Sequence, residues 1–251
     1  MSTSHSNPPM KHVPADSLNS LPERVQYLKD FIGFGPEDAA TLHAAKPVIA
    51  PLLPAILDAV YAKLFSFDIT RATFLPRNTG FKGETAKTLS ELTLDHPQIA
   101  MRKDFLKAYF VKLVSADYDD IKTWEYLDRV GVIHTGVKQQ LNTGKASTKS
   151  PLRVEFIHMG LLLGYVEDIV IDAVLEHPDL DLATKRAVLK AFNKILWIQN
   201  DLFAKHYVKD LDEIEAERTQ DALPKYSFTQ FPISIVLSLA LTGLAYKCFV
   251  A

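Results

Sequence analysis

Among 251 residues there is one cysteine, Cys248. No intrachain disulfide and no cysteine-rich zinc site can be built from it, and a reducing compartment is expected. Glycine is scarce as well. Its count of 10 stands against about 17 at an average frequency near 7%, which excludes collagen-like chains and flexible linkers and weakens a turn-rich all-β fold. Neither sign of charge dominates: 28 Lys and Arg against 30 Asp and Glu leave a net charge of −2. The broad basic footprint of a nucleic-acid binder is missing, so no nucleic-acid partner is expected. Also missing are a Gly-rich phosphate loop, HExxH and GxSxG, and with them the common NTPase, zinc-protease and α/β-hydrolase chemistries. The first residues, MSTSHSNPPMKHVPADS, contain no apolar h-region of a secretory signal. Residues 1–20 read as a disordered, polar, Pro-bearing arm.

What the chain does have is helical period. ERVQYLKDFIGF after Pro22 predicts a first helix with Val25, Leu28 and Ile32 on one side, stopped by Gly33 and Gly35. A second helix is expected over 36–46. PVIAPLLPAILDAVYAKLF is expected to form the next, with a buried stripe of Leu53, Ile56, Leu57, Val60, Tyr61 and Leu64. Residues 67–95 read as short pieces and loop. Helices resume from Pro97 and again over DDIKTWEYLDRVGVIHT, and GVKQQLNTGKASTKS reads as loop. Two long helices, 151–177 and 181–208, complete the domain, with Asp179 or Asp181 as the cap of the second. RVEFIH alternates briefly, but its flanks resume helical spacing and it is read as helix. The fold class is all-α, with the domain at 21–208, an acidic linker at 209–228 and a hydrophobic tail at 229–251.

That tail carries no charge from Tyr226 to Tyr246. A helix over 231–249 would span roughly 28 Å, close to the thickness of a bilayer core. A transmembrane tail anchor is expected, with the folded domain on the cytoplasmic face of a membrane. The competing reading is an amphipathic helix folded back on the domain, with Ser234, Ser238 and Thr242 as its polar edge. The terminal CFVA also fits a prenylation box at Cys248.

Histidine is the residue type left to carry chemistry. His5 and His12 lie in the arm, His43, His96 and His177 near helix ends, and His206 among charges. His134 follows Leu127, Val130 and Ile133 and borders an apolar stripe near the end of its helix. His158 lies among Val154, Leu161 and Leu162. A lone His at such a position is more often structural than a ligand, and Tyr61 in an apolar stripe is more often core, its hydroxyl bonded to a carbonyl. An all-helical domain with one axial His and a hydroxyl donor on an earlier helix is nevertheless how a globin holds haem.

The segments YLKDFIGF, AVYAKLFSFDIT, RKDFLKAYFVKLVSADYDD, YLDRVGVIHTG and FNKILWIQNDLFAKHY resemble the protoglobins, and specifically their fungal branch. These are single-domain relatives of the globin-coupled sensors. The resemblance runs from Leu21 to Val208 and implies a globin fold with an extra N-terminal helix around haem b. The motif like VGxxHT implies that His134 is the proximal iron ligand, and the one like VYxxL places the distal tyrosine at Tyr61. Phe105 falls on the bulky residue of the distal wall, and Val60 and Val130 are assigned as haem contacts. Val60 stands where archaeal members carry Trp. Arg102, one turn before Phe105, could reach the pocket, but the reading preferred is a solvated face residue. Absence of CxxCH makes the attachment non-covalent. The implied partners are O₂, CO or NO as ligand and a second copy of the chain, paired through the last two long helices. The role read from this is a gas sensor or carrier at a membrane surface, with the enzyme question left open. The alternatives are a haem-free, tail-anchored helical adaptor and a haem enzyme such as a nitric oxide dioxygenase.

Overall fold

The computed structural model describes residues 9–76, 81–136 and 152–208. The chain divides into two units after Val208. The linker, the tail with Cys248 and residues 137–151 lie outside the described residues. Those that are described form seven α-helices: α1 (Leu21–Ile32), α2 (Pro36–Phe65), α3 (Asp68–Ala72), α4 (Pro97–Leu113), α5 (Ile121–His134), α6 (Phe156–Glu176) and α7 (Leu182–Ala204). The all-α expectation holds, and no strand occurs among the described residues. Within the arm expected to be disordered, Ala15–Asn19 form a 3-10 turn. Arg24 donates to the carbonyl of Leu18 at 3.3 Å.

α7 is the centre of the packing, meeting α2, α5 and α6. Asp181 caps it by accepting from the Thr184 amide at 2.7 Å. Its Val188, Ala191, Phe192, Ile195, Leu196, Ile198 and Leu202 are buried at helical spacing. α1 ends where Gly33 turns left-handed at φ 72°, a conformation that costs a glycine little.

Two expected elements between 36 and 65 are one helix. Pro47, Pro51 and Pro54 lie inside it, although each removes a backbone donor and costs about 3 kcal/mol in a helix interior. All three are exposed, as are His43 and Ala50, two of the residues whose carbonyls lose a partner, so water can satisfy those groups. The opposite face keeps its period through the prolines, burying Leu42, Ala45, Ile49, Leu53, Ile56, Leu57, Val60 and Tyr61. Among the described residues α2 is the one helix long and apolar enough to cross a bilayer. Here that apolar character serves the core.

The RVEFIH reading also changes. α6 starts at Phe156, and Arg153 pairs with Thr135 in an isolated antiparallel bridge. The brief alternation was a signal of extended chain, outweighed in the sequence reading by its helical flanks.

Candidate functional site

Asp120 opens α5 by accepting from the Lys122 amide at 3.0 Å. α5 delivers His134 at its last residue, beside α7. Gly131 lets the two helices approach: a β-carbon there would stand 2.9 Å from the ring of His206 and 2.9 Å from the carbonyl oxygen of Leu202. Past the helix end, the Val154 amide donates to the His134 carbonyl at 2.8 Å. The backbone of His134 is therefore held from two sides.

Its side chain is held too. Nδ1 lies 2.6 Å from the carbonyl oxygen of Val130. A carbonyl can only accept, so Nδ1 carries the proton and Nε2 keeps a lone pair. Nε2 has no hydrogen-bond partner among the described residues. Burial holds the imidazole below its ordinary pKa; the bond to Val130 opposes this and the charge of Arg102 adds to it. The ring is neutral at physiological pH, in the form that binds a metal. Among the described residues no three His, Cys, Asp or Glu side chains cluster to hold an ion by themselves.

On α2, Tyr61 is buried, and burial pushes its phenol well above the usual range, with the charge of Arg102 as a smaller opposing effect. It is a proton donor at any physiological pH. Other tyrosines give a measure of its state. Tyr118 donates to the Leu113 carbonyl, Tyr109 to Gln199 Oε1 at 3.2 Å, and Tyr207 to the Val154 carbonyl at 2.8 Å. The Tyr61 hydroxyl has no such partner among the described residues. Among the described residues its hydroxyl is bonded to no carbonyl.

Arg102 is the largest correction to the sequence reading. It is not a solvated face residue: it is 8% exposed, with its guanidinium 5.1 Å from the centre of the Phe74 ring. Tyr61 packs on the same ring at 5.8 Å. Phe74 is set by Gln98, whose amide donates to the Phe74 carbonyl while its oxygen accepts from the Ala86 amide at 3.3 Å. Phe105, expected on the distal wall, is not packed into the core. It is 55% exposed and makes no ring contact with Tyr61. The α4 side chains brought to Tyr61 are Arg102 and Lys103, the latter with Nζ 5.8 Å from the phenol ring and 2.8 Å from Asp58. Val60 is fully buried and Val130 partly so. His158 lies in the first turn of α6, apart from this group.

Periodicity contained the Arg102 signal. Ile99, Arg102, Leu106, Tyr109 and Leu113 follow a 3-4-3-4 spacing, so Arg102 lies on the inward stripe and Phe105 off it. α4 packs on α2 and α5 on α1 and α7, without comparable packing between α4 and α5. A cleft of about 580 Å³ lined by Gly33, Asp38 and Lys194 lies elsewhere; the Lys194 and Asp38 side chains there are paired at 2.8 Å.

The Protoglobin family profile matches residues 21–213. Among solved structures, the globin domain of a Geobacter sulfurreducens globin-coupled sensor is similar, at 20% identity and a TM-score of 0.52, over 73% of this chain and 97% of that one. That likeness shows a shared fold. No curated protein matches the chain significantly. By the extent of the family match, the chain belongs to the protoglobins.

Proposed function

We propose that this protoglobin binds haem b non-covalently through His134 Nε2 and takes up O₂, CO or NO beneath the Tyr61 hydroxyl. The observation that carries the reading is the pair of unengaged groups: a neutral imidazole whose Nδ1 is committed to Val130, and a buried phenol without a described acceptor. These residues fit the group. One nitrogen is available for the iron, Val60 and Val130 supply apolar contacts, and α4 and α5 pack on each other less than on their other neighbours. Haem, when bound, supplies the iron at which a diatomic ligand coordinates. His134 orients that iron through a ring fixed by its backbone bond. Tyr61 donates a hydrogen bond to a polar ligand and less to an apolar one.

Two further features complete the proposal. Ile157 and Leu161 on α6 are 63% and 67% exposed, and Trp197 on α7 is 56% exposed. Such apolar surface suits pairing with a second copy; light scattering that finds only monomers at tens of micromolar would remove the dimer. The uncharged run from Tyr226 to Tyr246 supports a membrane-bound domain. Full-length protein that stays in the soluble fraction contradicts this.

The gas-binding test compares wild type with Tyr61→Phe. A Soret band at one haem per chain is expected in both. O₂ dissociation should accelerate about ten- to a hundredfold in the variant, the worth of a partly charge-assisted hydrogen bond of about 1–3 kcal/mol. CO dissociation should change little. Equal effects on the two gases remove Tyr61 from the ligand side.

A further inference from the structure

Gln199 is fully buried within the apolar stripe of α7. An amide there gains little over a hydrophobic side chain of the same size, because its hydrogen bonds replace bonds to water. Its partners give it a different use. Oε1 accepts from the Tyr109 hydroxyl of α4 at 3.2 Å, and Nε2 donates to the Leu127 carbonyl of α5 at 3.1 Å. Other buried polar side chains act locally. Thr70 and Thr123 bond carbonyls within six residues of themselves, and Gln98 bonds the segment between α3 and α4. Gln199 joins three helices.

The two helices that it bridges pack on each other less than on their other neighbours. Tyr109 stands seven residues after Arg102 on α4, and Leu127 seven residues before His134 on α5. Seven residues are two helical turns, about 10.5 Å along the axis, so each pair shares one face of its helix. α4 runs toward the connection at 114–120 and α5 runs away from it. The bridge therefore lies between that connection and the site on both helices. One turn further along α7, Leu202 and Phe203 meet Gly131, which makes the bridge and the glycine contact successive rungs leading to His134.

Resting on the haem reading above, we propose that Gln199 is a positioning residue that holds α4 and α5 at one separation and so sets the width of the haem slot between the Arg102 and His134 walls. It acts through the two helices and not by contact with the haem. Apolar contacts are non-directional, whereas two bonds from one planar amide fix both helices at one point.

The test compares wild type with Tyr109→Phe, which releases α4 alone, and Gln199→Met, which releases both helices. Ile198→Val, a buried change on α7 outside the bridge, is the control for lost stability. Spin labels on Asp104→Cys and Arg129→Cys, exposed positions of α4 and α5, report the helix separation in a full-length Cys248→Ser background. They are read in the haem-loaded ferrous carbonyl form, whose iron is diamagnetic. Transfer of haem to an excess of a haem-free acceptor globin reports how firmly the slot holds it. The label distances should broaden in Tyr109→Phe and more so in Gln199→Met. Haem transfer should accelerate about two- to tenfold in the first and about five- to a hundredfold in the second, the range for losing one and two hydrogen bonds. Ile198→Val should match wild type in both readouts while its denaturant midpoint falls. A lowered midpoint in both bridge variants with distances and haem transfer unchanged assigns Gln199 to stability alone and overturns the proposal. So does an Ile198→Val variant that moves both readouts as far. If Gln199→Met does not fold, Tyr109→Phe decides by the same two readouts. A wild-type chain without a Soret band defeats the haem reading and the slot with it, whereas a normal Soret band with label distances unmoved by the bridge variants defeats this inference alone.

Discussion

The wall that carries His134 is held by main-chain geometry, whereas the wall that carries Tyr61 and Arg102 is held by side chains resting on one ring. On the first, a carbonyl of α5 fixes the imidazole, the Val154 amide fixes the carbonyl of His134, and a glycine sets the distance to α7. On the second, Gln98 positions Phe74, and Phe74 positions both the phenol and the guanidinium. The difference teaches where each wall is vulnerable. Backbone packing tolerates little, while a side-chain platform can loosen without unfolding the domain.

The largest effect is therefore expected at Gly131. A branched side chain meets the Leu202 carbonyl oxygen, which cannot rotate away. Gly131→Val should cost about 3 kcal/mol or more, the upper range for overpacking, read as a lowered denaturant midpoint. If the midpoint does not move, α5 and α7 are less tightly apposed than described. Next comes Gln98→Leu, which strands the Phe74 carbonyl and the Ala86 amide at a cost of about 1–3 kcal/mol. It should leave His134-dependent haem uptake intact and alter O₂ release, because only the Phe74 platform moves. Altered haem uptake without altered gas release would reverse the assignment of the two walls.

The smallest effect is expected at Asp128, which ties α5 to the end of α7 through His206 at 2.8 Å and Lys205 at 3.2 Å. Burial would raise this carboxyl, but the bonds and charges of His206 and Lys205 outweigh it and hold the pKa below its ordinary 3.8. A carboxyl depressed in the folded state contributes stability above its unfolded pKa and loses it as the pH falls through the folded one. Asp128→Asn should cost about 1 kcal/mol at neutral pH, and the gap from wild type should close in denaturant curves below pH 4. A gap that persists in strong acid excludes the ion pair as its source.

The same contrast explains what was legible in the sequence. The His134 wall depends on a local run, VGVIHTG, in which the imidazole, the small residue and the helix end all fall within seven positions. Such a run can be read directly. The other wall draws Tyr61 from α2, Phe74 from the turn after α3, and Gln98 and Arg102 from α4, and local patterning does not reveal that these meet. Arg102 was misplaced because its charge was weighed above its position on the Ile99 and Leu113 stripe. The continuity of α2 escaped because three prolines normally break a helix, and only their exposure on one face shows why these do not.

The central claim, that His134 Nε2 is the iron ligand, is tested most directly by His134→Gly with and without added imidazole. The glycine variant should keep its helical circular dichroism, fail to hold stoichiometric haem and recover a wild-type-like Soret band when imidazole fills the space left by the ring. An unchanged Soret band in the variant without imidazole would contradict the account, because another residue would then hold the iron.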